Sequence, residues 1–178
     1  MHILICTPLF PPDVEPIAQY VQELARRLSD THTVTVLTYG ALPEPTDGVD
    51  IQGVSKDQLT VTRILRYTHK LFTLQRKADI VLAINGASVE LPLVLTAPFS
   101  RARSLFNYCD TRAHEAQQKN IFLRTLHMLA RARAAHTLCA VPATKPEILP
   151  FSPQPIAAQK QYEADWKAHK AHLESLFI

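Results

Sequence analysis

Short apolar and β-branched runs alternate along the chain with stretches in which apolar residues recur every three or four positions. The first kind predicts buried strands, because a parallel strand covered on both faces reads as a near-continuous apolar run. The second predicts amphipathic helices, since that spacing gathers the apolar side chains on one helical face. Strands are expected at residues 2–6, 33–38, 49–54, 79–84, 104–109 and 136–141. Ile17, Val21, Leu24, Ala25 and Leu28 mark the inner face of a first helix. Val61, Ile64, Leu65, Thr68, Leu71 and Phe72 mark a second, over about residues 58–77. A shorter helix is expected to start near Pro92, a favoured first-turn residue, and to stop by Pro98. Residues 113–134 read as helical, and so do residues 156–177, whose face carries Tyr162, Trp166, His169, Leu173 and Leu176. The alternation predicts an α/β fold: one doubly wound, mainly parallel sheet with helices on both faces. Five prolines between Pro142 and Pro155 divide the chain into a Rossmann-like domain, 1–150, and a linker with a C-terminal helix, 151–178.

Composition narrows the function classes. A chain of 178 residues, 47% of them apolar, suits one domain with a real core. No apolar run approaches the ~20 residues that span a bilayer, and the apolar start is cut short by Pro8, Pro11 and Pro12. A cytoplasmic protein is expected. Cys6, Cys109 and Cys139 are odd in number and form no CxxC pair, which argues against a disulfide framework or a zinc site. A net charge of +3 is too modest to point to nucleic acid. Only four glycines stand against thirteen prolines, whereas a dinucleotide grip needs several glycines in its first strand–helix turn. No cofactor is expected.

The candidate chemistry is sparse. Asp13, Glu15 and Asp110 fall at the carboxyl ends of predicted strands, where open α/β sheets place ligands. Turns and helix caps use the same residue types. Cys109 has no neighbour that would activate a thiol and reads equally as a small buried hydrophobe. His114 and Glu115 are acid–base candidates, although adjacent helical residues do not face each other. His169 and His172 are three apart but lack a third ligand, so no metal is expected. Arg63, Arg66, Lys70, Arg76 and Lys77 place five cations between Asp57 and Asp79 with no acid among them. Such a run is either a solvated helix face or a contact for an anionic membrane surface, where each cation is worth ~1 kcal/mol.

The opening residues carry a family resemblance. Pro11-Pro12-Asp13, Ala18, Tyr20-Val21, Leu24-Ala25, Leu28 and Thr35-Val36-Leu37-Thr38 resemble the start of family-4 GT-B glycosyltransferases. Ala78-Asp79-Ile80-Val81, followed by Asn85, resembles a later strand of that family. The resemblance covers about residues 1–150 and implies the N-terminal, acceptor-side half of such an enzyme, with Pro12, Asp13, Glu15 and Asn85 around its cleft. Three departures accompany it. Glu15 and Pro16 stand where the family has two glycines that let backbone amides approach the donor phosphate or the acceptor. Cys109 stands near a family histidine, and nothing corresponds to the donor-binding lobe. The resemblance implies the acceptor-binding half of a split or truncated nucleotide-sugar-dependent glycosyltransferase, completed by a separate donor-binding subunit. The alternatives are a non-catalytic relative that binds a protein, a glycan or a membrane surface, and a nucleotide-binding enzyme acting alone.

Overall fold

The computed structural model describes residues 1–108, 115–116, 118–138 and 156–177. Six strands form one parallel sheet: β1 (His2–Cys6), β2 (Thr33–Tyr39), β3 (Val49–Val54), β4 (Ile80–Ile84), β5 (Arg103–Asn107) and β6 (His136–Leu138). Their order is β3-β2-β1-β4-β5-β6. β1 lies between β2 and β4, with Ile5 level with Val36 on one side and Leu82 on the other. The winding therefore reverses between β1 and β4, where doubly wound sheets open a crevice at their carboxyl ends.

Strand alternation sends successive side chains to opposite faces, and each face has its own core. Ile3, Ile5, Val34, Val36, Leu82 and Leu105 pack under α1 (Pro16–Ser29) and the C-terminal helix, which holds Trp166 and Leu173. Leu4, Cys6, Leu37, Val81, Ala83 and Phe106 pack against α2 (Thr60–Leu74), α3 (Ala87–Thr96) and α4 (Ile121–Arg133). Burial pushes the Cys6 thiol up to about 12, with a bond to Tyr67 acting weakly the other way, so this cysteine is an inert packing group. The C-terminal helix, α5 (Ile156–Ser175), lies on α1.

Two helices differ from the sequence expectation. Only Tyr67 and Leu71 of α2 are buried, while Val61 and Leu65 are exposed. Tyr67 sets that face by stacking on Tyr39 at 4.4 Å and donating to the carbonyl of Leu37 at 3.1 Å. α3 begins five residues before Pro92 and contains it. A proline inside a helix leaves the carbonyl four residues back without its amide donor. That carbonyl belongs to Ser88, and the Tyr39 hydroxyl donates to it at 2.8 Å. The expected strands over 104–109 and 136–141 end, as described, at Asn107 and Leu138; residues 139–141 and the proline-rich segment lie outside the described residues.

β2 and β3 are parallel yet joined without a helix by residues 40–48. Parallel neighbours normally need a longer crossover. This short connection is held by Gly40 N–H donating to the Val54 carbonyl at 2.9 Å, and by Glu44 N–H donating to Pro11 at 2.8 Å. Gly53 makes it fit, because a Cβ there would collide with the Gly40 carbonyl oxygen.

Candidate functional site at the carboxyl edge of the sheet

The loop after β1 turns sharply at buried Thr7, whose hydroxyl donates to the Leu9 carbonyl at 2.8 Å. Its next turn holds Pro11 and exposed Pro12, and closes with Asp13 N–H donating to Phe10 at 3.1 Å. The Asp13 carboxylate accepts the Phe10 amide at 3.3 Å and both its oxygens hold Lys56 Nζ, at 2.6 and 2.7 Å. Asp13 is thus committed to pinning the β1 loop to the β3–α2 loop. Lys56 carried no signal in the sequence.

Glu15 is the N-cap of α1 and Pro16 opens the helix. A helix N-terminus attracts anions through its unsatisfied amides and positive dipole end. Here a carboxylate already sits at that end, and proline supplies no N–H. A phosphate is disfavoured at this turn on both counts.

Across the switch point, Asn85 is fully buried and its backbone N–H donates to the backbone carbonyl of Asn107 at 3.0 Å. Gly86 follows at φ +151°, a conformation side chains rarely adopt. A Cβ there would lie 3.2 Å from Pro8, so the β4 turn presses directly on the β1 loop. The crevice is tight at its floor.

Two buried polar clusters flank that floor. On the α1 face, the Asn107 amide donates to the Tyr20 hydroxyl at 3.0 Å, and the hydroxyl lies 2.7 Å from His169 Nε2 on α5. The contact is compatible with a neutral imidazole, whose Nε2 accepts from the hydroxyl or donates to it according to the tautomer. Burial, aided by the nearby His172, lowers the His169 pKa to about 4, in agreement. The Asn107 side-chain Oδ1 is buried and has no hydrogen-bond partner among the described residues. On the other face, fully buried Glu90 accepts from Gly86 N–H at 3.3 Å and lies 3.1 Å from His127 Nδ1. The His127 ring packs on Phe106 and Tyr108 at 5.4 and 4.9 Å. Neither cluster was singled out by sequence reasoning. Glu90 did leave a signal, as the lone charge in the apolar stretch between Asp79 and Arg101.

The fold brings Pro12, Asp13, Glu15 and Asn85 to the carboxyl edge of the sheet. Glu115 is exposed, while Cys109, Asp110 and His114 lie outside the described residues. The α2 cations have different surroundings. Arg63 donates to the Lys56 carbonyl at 3.3 Å and lies over the Tyr39 ring, and Lys70 donates to Gly53 at 2.9 Å. Arg66 is exposed on the helix, and Arg76 and Lys77 follow its last turn, at the opposite edge of the sheet. No metal-binding group of His, Cys, Asp or Glu occurs among the described residues, and no described helix is long and apolar enough to cross a membrane.

No protein-family model matches the sequence, and no curated protein matches it. Solved structures do resemble the fold. A putative UDP-N-acetylglucosamine 2-epimerase from Listeria monocytogenes is similar over 80% of this chain and 40% of its own, with TM-score 0.55 and 14% identity. Anabaena HepE, solved in complex with UDP and glucose, is similar over 77% of this chain and 37% of its own, with TM-score 0.53 and 13% identity. At these identities the likeness is one of fold, a GT-B-like, Rossmann-type α/β unit. The chain spans only about two fifths of the length of either structure.

Proposed function

We propose that this chain is the acceptor-binding half of a GT-B-type, nucleotide-sugar-dependent glycosyltransferase, and that a second lobe supplies the donor site. The observation that carries the reading is the chemistry of the carboxyl edge. It places Glu15 and Pro16 where a diphosphate would need amides, above a floor that holds the buried polar residues Asn85 and Asn107. Such an edge suits a hydroxyl-rich acceptor better than a nucleotide. The rim supports a covering lobe: Val14, Leu42 and Leu59, from three different loops at this edge, are 84%, 86% and 81% exposed.

In this arrangement the crevice orients an acceptor hydroxyl, and the buried polar Glu90–His127 pair behind it fixes the β4 turn. The donor's phosphates are held by the second lobe. Calorimetry and amide-shift mapping test this directly. Glucose at millimolar concentration is expected to shift Asn85, Gly86 and Asn107 signals, whereas UDP gives no heat with this chain alone. Micromolar binding of UDP would overturn the reading, because the donor site would then lie here.

A further inference from the structure

The edge of the sheet opposite the crevice carries a second feature, independent of the sugar reading. Phe72, Arg76, Phe99 and Arg101 line a groove of about 460 Å³. They come together because α2 ends at Leu74 and the 3-10 turn Ala97–Phe99 follows α3, so both chain segments re-enter the sheet at neighbouring strands β4 and β5. The volume is within the ~300–1,000 Å³ range of small-molecule sites.

Its chemistry is specific. The Arg76 guanidinium stands 5.6 Å from the Phe72 ring centroid, and Phe72 meets Phe99 edge-on at 5.9 Å. Phe99 is 65% exposed, a costly position for a phenyl ring with nothing on it. Neither Arg76 nor Arg101 has an acidic partner among the described residues. Other arginines do: Arg26 and Arg27 are both taken up by Glu23. Two uncompensated guanidinium groups beside an open aromatic face form a complementary surface for an oxyanion attached to a ring, since guanidinium binds phosphate or carboxylate through paired N–H groups.

We infer that this groove binds a small ring-bearing anion, with the phosphate or carboxylate between Arg76 and Arg101 and the ring on Phe99. Phenyl phosphate is the probe, with phenol and inorganic phosphate as its two halves, titrated into the whole chain by calorimetry and amide-shift mapping. Phenyl phosphate is expected to bind at least tenfold tighter than either half and to shift Phe99 and Arg101. Arg101→Gln should weaken it at least fivefold without moving Tm, because that side chain is at the surface; Phe99→Ala should weaken it as much, while also giving up the edge contact with Phe72. Equal affinity for the three probes, or binding indifferent to both substitutions, overturns the inference. An anionic headgroup offers the same oxyanion, so phosphatidylglycerol vesicles form the last arm. Co-sedimentation that depends on Arg76 and Arg101, with no binding of phenyl phosphate, also overturns it and assigns the groove to a membrane surface.

Discussion

Tyr20 holds the middle of a buried polar chain, and its hydroxyl serves both Asn107 and His169. Tyr20→Phe keeps the stacking on Trp166, at 5.6 Å, but leaves both neighbours without that partner. The expected loss is about 1–3 kcal/mol, read from chemical denaturation. His169 adds a pH dependence of definite sign. Its pKa is near 4 in the folded chain against an ordinary value of 6.5, so the unfolded chain takes up the proton first as pH falls. Its contribution is fully present above pH ~6.5 and is lost progressively toward pH ~4. Urea midpoints should fall across that window in the wild type, and His169→Gln should flatten the fall. A midpoint that stays level between pH 7 and 4.5 would contradict the neutral ring. Gly53 is a purely steric case. Gly53→Ala forces a Cβ against the Gly40 carbonyl, which backbone cannot easily yield, and overpacking of this kind costs about 1–3 kcal/mol. A thermal midpoint unchanged by Gly53→Ala would mean that the 40–48 connection is looser than it looks.

Strands β1, β2 and β4 and helix α1 were legible from apolar periodicity alone, because both sheet faces are buried and each element carries its own pattern. The positions that sequence misread are those where one tertiary contact overrides a local rule. Pro92 looked like a helix start, but Tyr39, from a strand far away in sequence, supplies the donor that proline lacks. The face of α2 is turned by Tyr67, whose contact with Tyr39 outweighs the Val61–Leu65 stripe. Site residues were harder still. Asp13 was visible as a turn carboxylate, whereas its partner Lys56 arrives from another loop. The C-terminal helix was readable from Trp166 and Leu173, and it makes a sharp energetic prediction. Trp166 is fully buried, stacked on Tyr20, and covered by Arg27, which also bonds Glu163 at 2.8 Å on both oxygens. Trp166→Ala should cost about 3–5 kcal/mol. Hydrogen exchange should quicken along α5 before it does in β1. Uniform loss of protection would instead make the helix part of the central cooperative unit.

At the scale of the whole molecule the two edges of the sheet differ in kind. The amino edge presents Arg76 and Arg101, which have no acidic partner among the described residues, beside exposed Phe99. The carboxyl edge presents a tight polar floor inside a rim of exposed apolar side chains: Val14, Leu42, Leu59, Val61, Ile121 and Phe122. Single exposed apolar residues are ordinary. Six of them from loops and helix ends at one edge are better explained by a surface that is covered in use, as the proposed second lobe requires. Without that lobe, the rim has only another copy of the chain to bury against, at ~25 cal/mol per Å² of apolar surface. Wild-type chain should therefore associate weakly as its concentration rises in sedimentation velocity runs. Replacing Leu42, Leu59 and Phe122 together by serine should abolish that association. Each is a surface change expected to move stability by only about 0.5 kcal/mol or less, so the thermal midpoint serves as the control for folding. Association that survives in the triple variant would locate the sticky surface elsewhere, and a wild type that stays monomeric at millimolar concentration would remove the rim as support for a covering lobe.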